Sequence, residues 1–282
     1  MNKREPHSTI VSTKLERNTF NIIEELSVER GQSRSAVVRE IVERYAYGFK
    51  LRSVKDLAST IHGQHFCVVG PTLHGKTVLT MRYLIPRLAG NRRVLAIDPH
   101  WEYVRGYAPI TLKYDRAVPP SSNQLFQMFT LQSAWDDADK VVTNLLEQLR
   151  GVTSSRISVR LDIVDPEADK MIVGLFLKRL TQDRWSPGWL VVVEEAARYD
   201  CLGLVSRGRH AGLRAILVNQ FPLSEEVMTN VNAIMGPINP RLAESIDPTV
   251  TFALLELEQG EFVFETRKGR WAKFKLKLRT RE

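Results

Sequence analysis

The segment from His65 to Thr77, HFCVVGPTLHGKT, decides the fold of this 282-residue chain. Its first five residues are largely apolar and predict a short buried strand. The last eight, Gly70 to Thr77, match the pattern GxxxxGK(S/T), and an apolar-periodic segment that predicts a helix follows directly. A strand, such a loop and a helix in this order are typical of a phosphate-binding loop. The alternative is a glycine-rich turn that binds no ligand.

The residue types in this loop suit a nucleotide. The glycines let backbone amides turn toward phosphates, and the N-terminus of the helix adds the positive end of its dipole. Lys76 would reach the β and γ phosphates, and Thr77 would ligate Mg²⁺. The expected ligands are therefore ATP and Mg²⁺. The residues expected around the nucleotide are Gly70, Pro71, Thr72, Leu73, His74, Gly75, Lys76, Thr77 and Val78.

A second strong strand is predicted from Trp189 to Val193, and it ends in Glu194 and Glu195. In open α/β sheets, ligands bind at the carboxyl ends of the strands. We therefore expect Glu194 to hold the Mg²⁺, through water, and Glu195 to act as the general base on the attacking water. The alternative is a solvated charge pair that opens a helix. Other predicted strands run from Arg93 to Ile97, from Ile157 to Ile163 and from Leu213 to Val218.

Five motifs occur in the order found in a known family: GPTLHGKT, IDPHWEY, VVVEEAARY, SRGRHAGLRAILVNQ and LLELEQGEFVF. Together they resemble the FtsK/HerA family of P-loop DNA-translocating ATPases, and more closely its HerA-like branch. The resemblance covers residues 63–282. It implies an α/β, RecA-like P-loop NTPase domain with a mostly parallel sheet flanked by helices. It also implies a hexameric ring of identical subunits around double-stranded DNA.

The same resemblance implies roles for single residues. Gln220 would sense the γ-phosphate, and an arginine of the SRGR segment would reach the nucleotide of the neighbouring subunit. Arg209 matches the family's GR pair better than Arg207 does. Asp98 and Glu102 match an acidic pair near the site, without a role that the residues themselves indicate.

Residues 1–48 have a different pattern. Thr9 to Glu16 alternates as a short strand does, and Phe20, Ile23 and Leu26 then recur at helical spacing up to Gly31. Ser33 is placed to cap a second helix with a wide apolar face. One strand and two helices of this length cannot close a core alone, so this segment needs a partner. Residues 49–62 are expected to be a linker.

The sequences STKLE and ERGQSRSAVVREIVERY resemble the ribbon-helix-helix family of DNA-binding dimers. In that family paired strands enter the major groove. The resemblance implies that Ile10, Ser12 and Lys14 face the bases, and that amides around Ser33, Arg34 and Ser35 hold a phosphate. The alternative is a helical oligomerisation appendage with an incidental strand.

The net charge of +8 indicates a polyanionic partner, and its distribution is uneven. Residues 1–48 carry 8 basic and 7 acidic side chains, residues 49–259 carry 24 and 22, and residues 260–282 carry 8 and 3. If the tail is a strand, Lys273, Lys275, Lys277 and Arg279 lie on one face, opposite Phe274, Leu276 and Leu278. This face is either a DNA-contacting strip or the solvated side of an edge strand.

The sequence argues against a disulfide-stabilised, a membrane-spanning and a secreted protein. Two cysteines without a CxxC pair indicate a reducing compartment, and no apolar run approaches the ~18 residues of a membrane span. With no signal-peptide pattern either, we expect a cytoplasmic protein without a membrane partner.

Two functions fit these observations. The first is an ATP-driven motor on double-stranded DNA, acting in plasmid or viral DNA movement, packaging, transfer or segregation, with an unidentified nuclease or DNA-processing protein as a further partner. The second is a nucleotide-switched, ribbon-helix-helix DNA-binding regulator that does not translocate.

Overall fold

The computed structural model describes residues 17–39, 41, 65–114, 124–238, 250, 254, 257–267 and 270–276. The chain divides into two compact units, Met1–Gly48 and Phe49–Glu282. The strand predicted from Thr9 to Glu16, with Ile10, Ser12 and Lys14, lies outside the described residues, as does the linker of residues 49–62. Among the described residues, no helix combines the length and apolar character needed to cross a membrane.

The first unit contains helix α1, Arg17–Arg30, and a second helical segment at residues 34–39. Gly31 follows α1 with a φ of 60°, in the left-handed region that glycine adopts at helix ends. The hydroxyl of Ser33 accepts a hydrogen bond from the amide of Ala36 at 3.2 Å, as the predicted cap requires. The two helical segments bury Ile23, Leu26 and Val37 against each other.

The second unit is built on one nine-stranded sheet in the order β3-β4-β2-β5-β6-β1-β7-β8-β9. All pairings from β3 to β7 are parallel, and β8 and β9 are antiparallel additions at one edge. This arrangement confirms the predicted P-loop NTPase fold. The strands are β1 His65–Val69, β2 Arg93–Asp98, β3 Ala108–Tyr114, β4 Arg156–Ile163, β5 Trp189–Val193, β6 Arg214–Asn219, β7 Asn232–Met235, β8 Glu261–Arg267 and β9 Arg270–Lys275.

Helices cover both faces of the central strands, which explains their nearly continuous apolar sequences. Along β1, Cys67 and Val69 belong to one core cluster, and Phe66 and Val68 belong to the other. The helices of this unit are α2, formed by Lys76–Leu79, Thr80–Leu84 and Ile85–Leu88 in succession, α3 Gln124–Gly151, α4 Pro166–Leu180, α5 Leu202–Arg207 and α6 Glu225–Met228.

Helix α2 departs from the regular helix that its sequence predicts. Its middle segment, Thr80–Leu84, is a π-helix, and the amide of Ile85 donates to the carbonyl of Thr80 five residues back. Pro86 follows one position later and lacks an amide hydrogen for an ordinary helical bond.

The tail forms the edge strand β9, and its alternation agrees with the prediction. Phe274 and Leu276 are buried on one side, while Lys275 is exposed on the other. Trp271 is buried in the core. Lys277, Leu278 and Arg279 lie outside the described residues.

Candidate functional site

The carboxyl ends of four neighbouring strands meet at one edge of the sheet. The loop after β1, Asp98 at the end of β2, Glu194 directly after β5 and Gln220 directly after β6 all lie along this edge. Strand order alone therefore brings together the residues that the sequence placed at separate strand ends. This is the edge at which α/β sheets bind their ligands.

The loop of residues 70–75 is curled by two left-handed residues. Leu73 has a φ of 62° and Gly75 has a φ of 98°. Gly75 precedes the first residue of α2, where a side chain in this conformation would be strained. The ammonium of Lys76 donates to the carbonyl of Pro71 at 2.9 Å and so closes the loop across its base. Burial lowers the pKa of Lys76, while the carboxylates of Glu194 and Glu102 act in the opposite direction.

The loop is also held from outside, by β7 and β8. The ring of His74 is buried, and its Nε2 donates to the carbonyl of Glu261 at 2.8 Å. Its edge packs on Phe262, with ring centroids 4.9 Å apart. Gly236, just after β7, lies so close that an added Cβ would be 2.8 Å from Cδ2 of His74. The side chain of His74 thus supports the loop, and only its backbone is left to line the predicted phosphate site.

Glu194 is almost fully buried, with 7% of its surface exposed. Its Oε1 accepts a hydrogen bond from the hydroxyl of Tyr103 at 2.6 Å. Burial raises the pKa of Glu194 to about 7; Glu102 and Asp98 add to this, whereas the Tyr103 hydrogen bond and Lys76 oppose it. Near neutral pH this carboxyl group is poised between its two protonation states, and a cation beside it would favour the charged one.

The acidic pair Asp98 and Glu102 has two distinct environments. Asp98 is fully buried and accepts hydrogen bonds from the amides of Glu102 and Tyr103, both at 2.8 Å, so it shapes the turn after β2. Ser158 on β4 donates to the same carboxylate at 3.1 Å. Glu102 instead reaches the phosphate loop, where its Oε2 accepts a hydrogen bond from the hydroxyl of Thr77 at 2.8 Å.

Glu195 is adjacent to Glu194 but has different partners. It has a φ of 50°, in the left-handed region that a residue with a side chain rarely adopts. Its Oε1 accepts from Nε2 of His100 at 2.6 Å, and its Oε2 accepts from Arg198 at 3.0 Å. Burial raises the pKa of Glu195, but the hydrogen bonds from His100 and Arg198 outweigh it and leave the pKa below its ordinary value.

Arg209 and Arg207 lie at the other edge of the sheet. Arg207 is the last residue of α5, and Arg209 lies in the 3-10 segment Gly208–Ala211 that follows. Both side chains are exposed, and both segments precede β6. Gly208 is beside His65, the first residue of β1. A strand of five or six residues separates the two edges by roughly 17–20 Å. Arg209 therefore lies far from the phosphate loop of its own chain.

Two other groups of candidate DNA-binding residues have partners within the chain. Arg34 pairs with Glu24 of α1 and lies over the ring of Phe20 at 5.1 Å. In the tail, Lys273 pairs with Glu261 at 2.8 Å. Lys275 pairs with Glu258 at 2.6 Å. The prediction that the amides around Ser33, Arg34 and Ser35 hold a phosphate stays a prediction.

Sequence reasoning missed three residues that contact the site: His100, Tyr103 and Arg198. His100 and Tyr103 belong to the motif IDPHWEY, which marked the region without indicating which side chains turn toward the strand ends. Arg198 follows Glu195 by three residues, a spacing that could have suggested an ion pair if a turn had been predicted there.

No protein-family model matches the chain, and no curated protein matches it in sequence. Among solved structures, it is similar to the bacterial conjugative coupling protein TrwB, with 12% identity, a TM-score of 0.50, and 83% of this chain and 93% of that chain covered. It is also similar to the genome packaging NTPase B204 of Sulfolobus turreted icosahedral virus 2, with 18% identity, a TM-score of 0.48, and coverage of 77% and 98%. A third is VirB4 of Thermoanaerobacter pseudethanolicus, with 13% identity, a TM-score of 0.49, and coverage of 78% and 91%. At this identity, the likeness to TrwB shows a shared fold.

Proposed function

We propose that the protein is an ATP-hydrolysing motor that moves double-stranded DNA. The observation that carries this proposal is the convergence of Lys76, Thr77, Glu194 and Glu195 at the carboxyl edge of a P-loop fold. Phosphoryl transfer needs positioning and charge stabilisation more than covalent chemistry, and these residue types supply both.

ATP and Mg²⁺ fit the residues of this edge. In the described part of the chain, no cluster of three or more His, Cys, Asp or Glu side chains could hold a metal ion by itself. Magnesium at nucleotide sites takes only one or two protein ligands and completes its shell with phosphates and water. The Thr77 hydroxyl and the Glu194 carboxylate are hard oxygen donors of that kind, and Glu102 orients the hydroxyl. When bound, Mg²⁺ would neutralise phosphate charge.

Each remaining residue has one proposed task. Lys76 leaves the carbonyl of Pro71 to contact the β and γ phosphates. Glu195 accepts the proton of the attacking water, and Gln220, exposed after β6, contacts the γ-phosphate. Arg209 of the neighbouring subunit stabilises the charge that develops on the transferred phosphoryl group.

The position of Arg209 supports a ring. An arginine at the edge opposite the phosphate loop can act only on the nucleotide of another molecule, which requires a head-to-tail contact. Such heterologous contacts form a ring when the rotation between successive subunits closes. We propose a hexamer around duplex DNA, with the N-terminal units, residues 1–48, as three ribbon-helix-helix pairs joined through a linker at 49–62 to the motor at 63–282. TrwB, which has the same fold, is a conjugative coupling protein, which supports transfer as one of the proposed settings beside packaging and segregation.

The decisive experiment measures ATP hydrolysis by the full chain with and without duplex DNA. We expect duplex to stimulate hydrolysis, and both Lys76→Ala and Glu195→Gln to abolish it. Lys113→Ala is the matched control, because Lys113 is an exposed lysine that pairs with Asp162 on the neighbouring strand. A rate of ATP hydrolysis that is unchanged by added duplex DNA contradicts the motor function.

The second candidate is a nucleotide-switched DNA-binding regulator. The separate N-terminal unit favours it, since a compact unit of its own at Met1–Gly48 is what a dimeric DNA-binding head would provide. Mass measurement in solution with and without ATP separates the two functions. Hexamers support the motor, and dimers support the regulator.

A further inference from the structure

Both carboxylate oxygens of Glu195 have a donor. His100 donates to Oε1 and Arg198 donates to Oε2. Each donor occupies a lone-pair position through which the carboxylate would otherwise accept a hydrogen bond from the attacking water. A general base held in this way is well oriented but restrained. The two donors, however, are anchored very differently.

Arg198 is fixed to the protein core. It ends the 3-10 segment Ala196–Arg198, and its other guanidinium nitrogen donates to Oδ2 of Asp169 at 2.6 Å. Only 4% of the Asp169 side chain is exposed, and Tyr199 donates to the same oxygen at 3.3 Å. The amide of Arg198 also donates to the carbonyl of Glu195 at 2.9 Å. Arg198 therefore holds both the backbone and the carboxylate of Glu195.

His100 is held much less firmly. Its side chain is 54% exposed, and it lies on the loop between β2 and β3 beside Trp101, which is exposed and has a φ of 57°. The same loop supplies Glu102 to Thr77 and Tyr103 to Glu194. One short loop thus contacts three of the proposed catalytic and metal-binding residues. His100 and Glu102 are exposed, whereas Tyr103 is buried.

We propose that His100 is a releasable positioning residue that restrains Glu195, and that Arg198, backed by Asp169, is the fixed one that orients it. Release of His100 frees one carboxylate oxygen for the attacking water, while Arg198 keeps the carboxylate in place. Because the loop also contacts Thr77 and Glu194, the release is coupled to the nucleotide and metal site. This inference rests on the proposed function, since it requires Glu195 to be the general base.

The test compares two substitutions that each remove one donor from the same carboxylate. The kcat and KM for ATP are measured on the full chain without DNA. His100→Ala should raise kcat about threefold, the size expected for the loss of one side-chain hydrogen bond, with KM unchanged. Arg198→Ala should lower kcat about tenfold because the base is misplaced, and Arg198→Lys should restore part of it. His100→Gln, which keeps a side-chain donor at this position, should have a kcat between those of the wild type and His100→Ala.

The inference is supported if kcat rises in His100→Ala and falls in Arg198→Ala. A lower or unchanged kcat in His100→Ala overturns it, and so does a higher kcat in Arg198→Ala. His100→Ala combined with Glu195→Gln should be as inactive as Glu195→Gln alone, and activity above that level also overturns the inference. Lys113→Ala, which removes an exposed cation from an unrelated carboxylate, should leave kcat unchanged. A wild-type chain that fails to hydrolyse ATP even when duplex DNA is added overturns the proposed function instead.

Discussion

The two edges of the sheet differ in how their polar residues are used. At the carboxyl edge, Lys76, Thr77, Glu194 and Glu195 all have hydrogen-bond partners within the chain. At the amino edge, Arg209 is exposed in the turn before β6. The difference agrees with the proposal that the two edges have different partners. In that proposal the carboxyl edge receives the nucleotide, and the amino edge presents Arg209 to a second subunit.

The largest expected effect lies at the amino edge. Arg209→Ala should lower kcat for ATP by about 10³-fold or more, the range found for arginines that act in trans, with nucleotide affinity unchanged. Arg207→Ala is the matched control, since it removes another exposed arginine two residues away and should have a much smaller effect. Steady-state kinetics with a nucleotide-binding titration checks both. Equal losses in the two variants would mean that the edge acts only through its overall charge.

At the carboxyl edge, the buried carboxyl group of Glu194 should make the stability of the folded chain depend on pH. The pKa of Glu194 is about 7 in the folded chain, above its ordinary value of 4.5, so the folded state binds the proton more tightly. Stability is therefore lost as the pH rises from about 4.5 to about 7, by up to about 3 kcal/mol. Glu194→Gln should remove this loss. Relative to the wild type, the variant should therefore gain more free energy of unfolding at pH 8 than at pH 5. Urea denaturation at the two pH values measures it, with Glu225→Gln as an exposed control.

The packing of the His74 ring behind the phosphate loop can be tested by adding a methyl group beside it. In Gly236→Ala, the new methyl group would lie 2.8 Å from the ring of His74. We expect a loss of about 1–3 kcal/mol in stability from overpacking, together with weaker nucleotide binding. Denaturation and a nucleotide titration measure the two effects. Adding His74→Ala should relieve the clash, and a double variant no better than Gly236→Ala would contradict this role for the ring.

The smallest effect is expected in the tail. Lys273 and Lys275 pair with Glu261 and Glu258, so the structure favours an edge strand with a solvated face over a DNA-contacting strip. For duplex binding, the slope of log K against log salt reports the number of phosphate contacts. Replacing both lysines with Gln should change this slope by less than the value expected for one contact. A slope reduced by about two contacts would instead place this face against DNA. Filter binding across a salt series measures the slope.

Much of the fold could be predicted because its strongest signals are local. β5 is a continuous apolar run and β1 is one after His65, as is typical of strands buried on both faces. The loop between β1 and α2 needs left-handed residues at fixed places, and Gly75 provides one of them. The second unit confirms the predicted P-loop fold, whereas the ribbon-helix-helix unit stays a prediction.

The candidate site was harder to predict because its contacts join distant parts of the chain. His74 and Glu261 are 187 residues apart, and His100 and Glu195 are 95 apart. No periodicity in the sequence reports which of several polar side chains on a loop turns toward a strand end. The motif containing Asp98 and Glu102 marked the region correctly, but only the folded turn separates a residue that shapes the backbone from one that contacts Thr77.

The most direct test of a site completed between subunits uses two inactive variants. Lys76→Ala keeps Arg209 but loses its own phosphate loop, and Arg209→Ala keeps the loop but lacks the arginine. Co-expressed in one assembly, they should regain ATP hydrolysis, because some loops then face an intact arginine. A mixed assembly no more active than either variant alone would contradict the claim that the two edges meet across subunits.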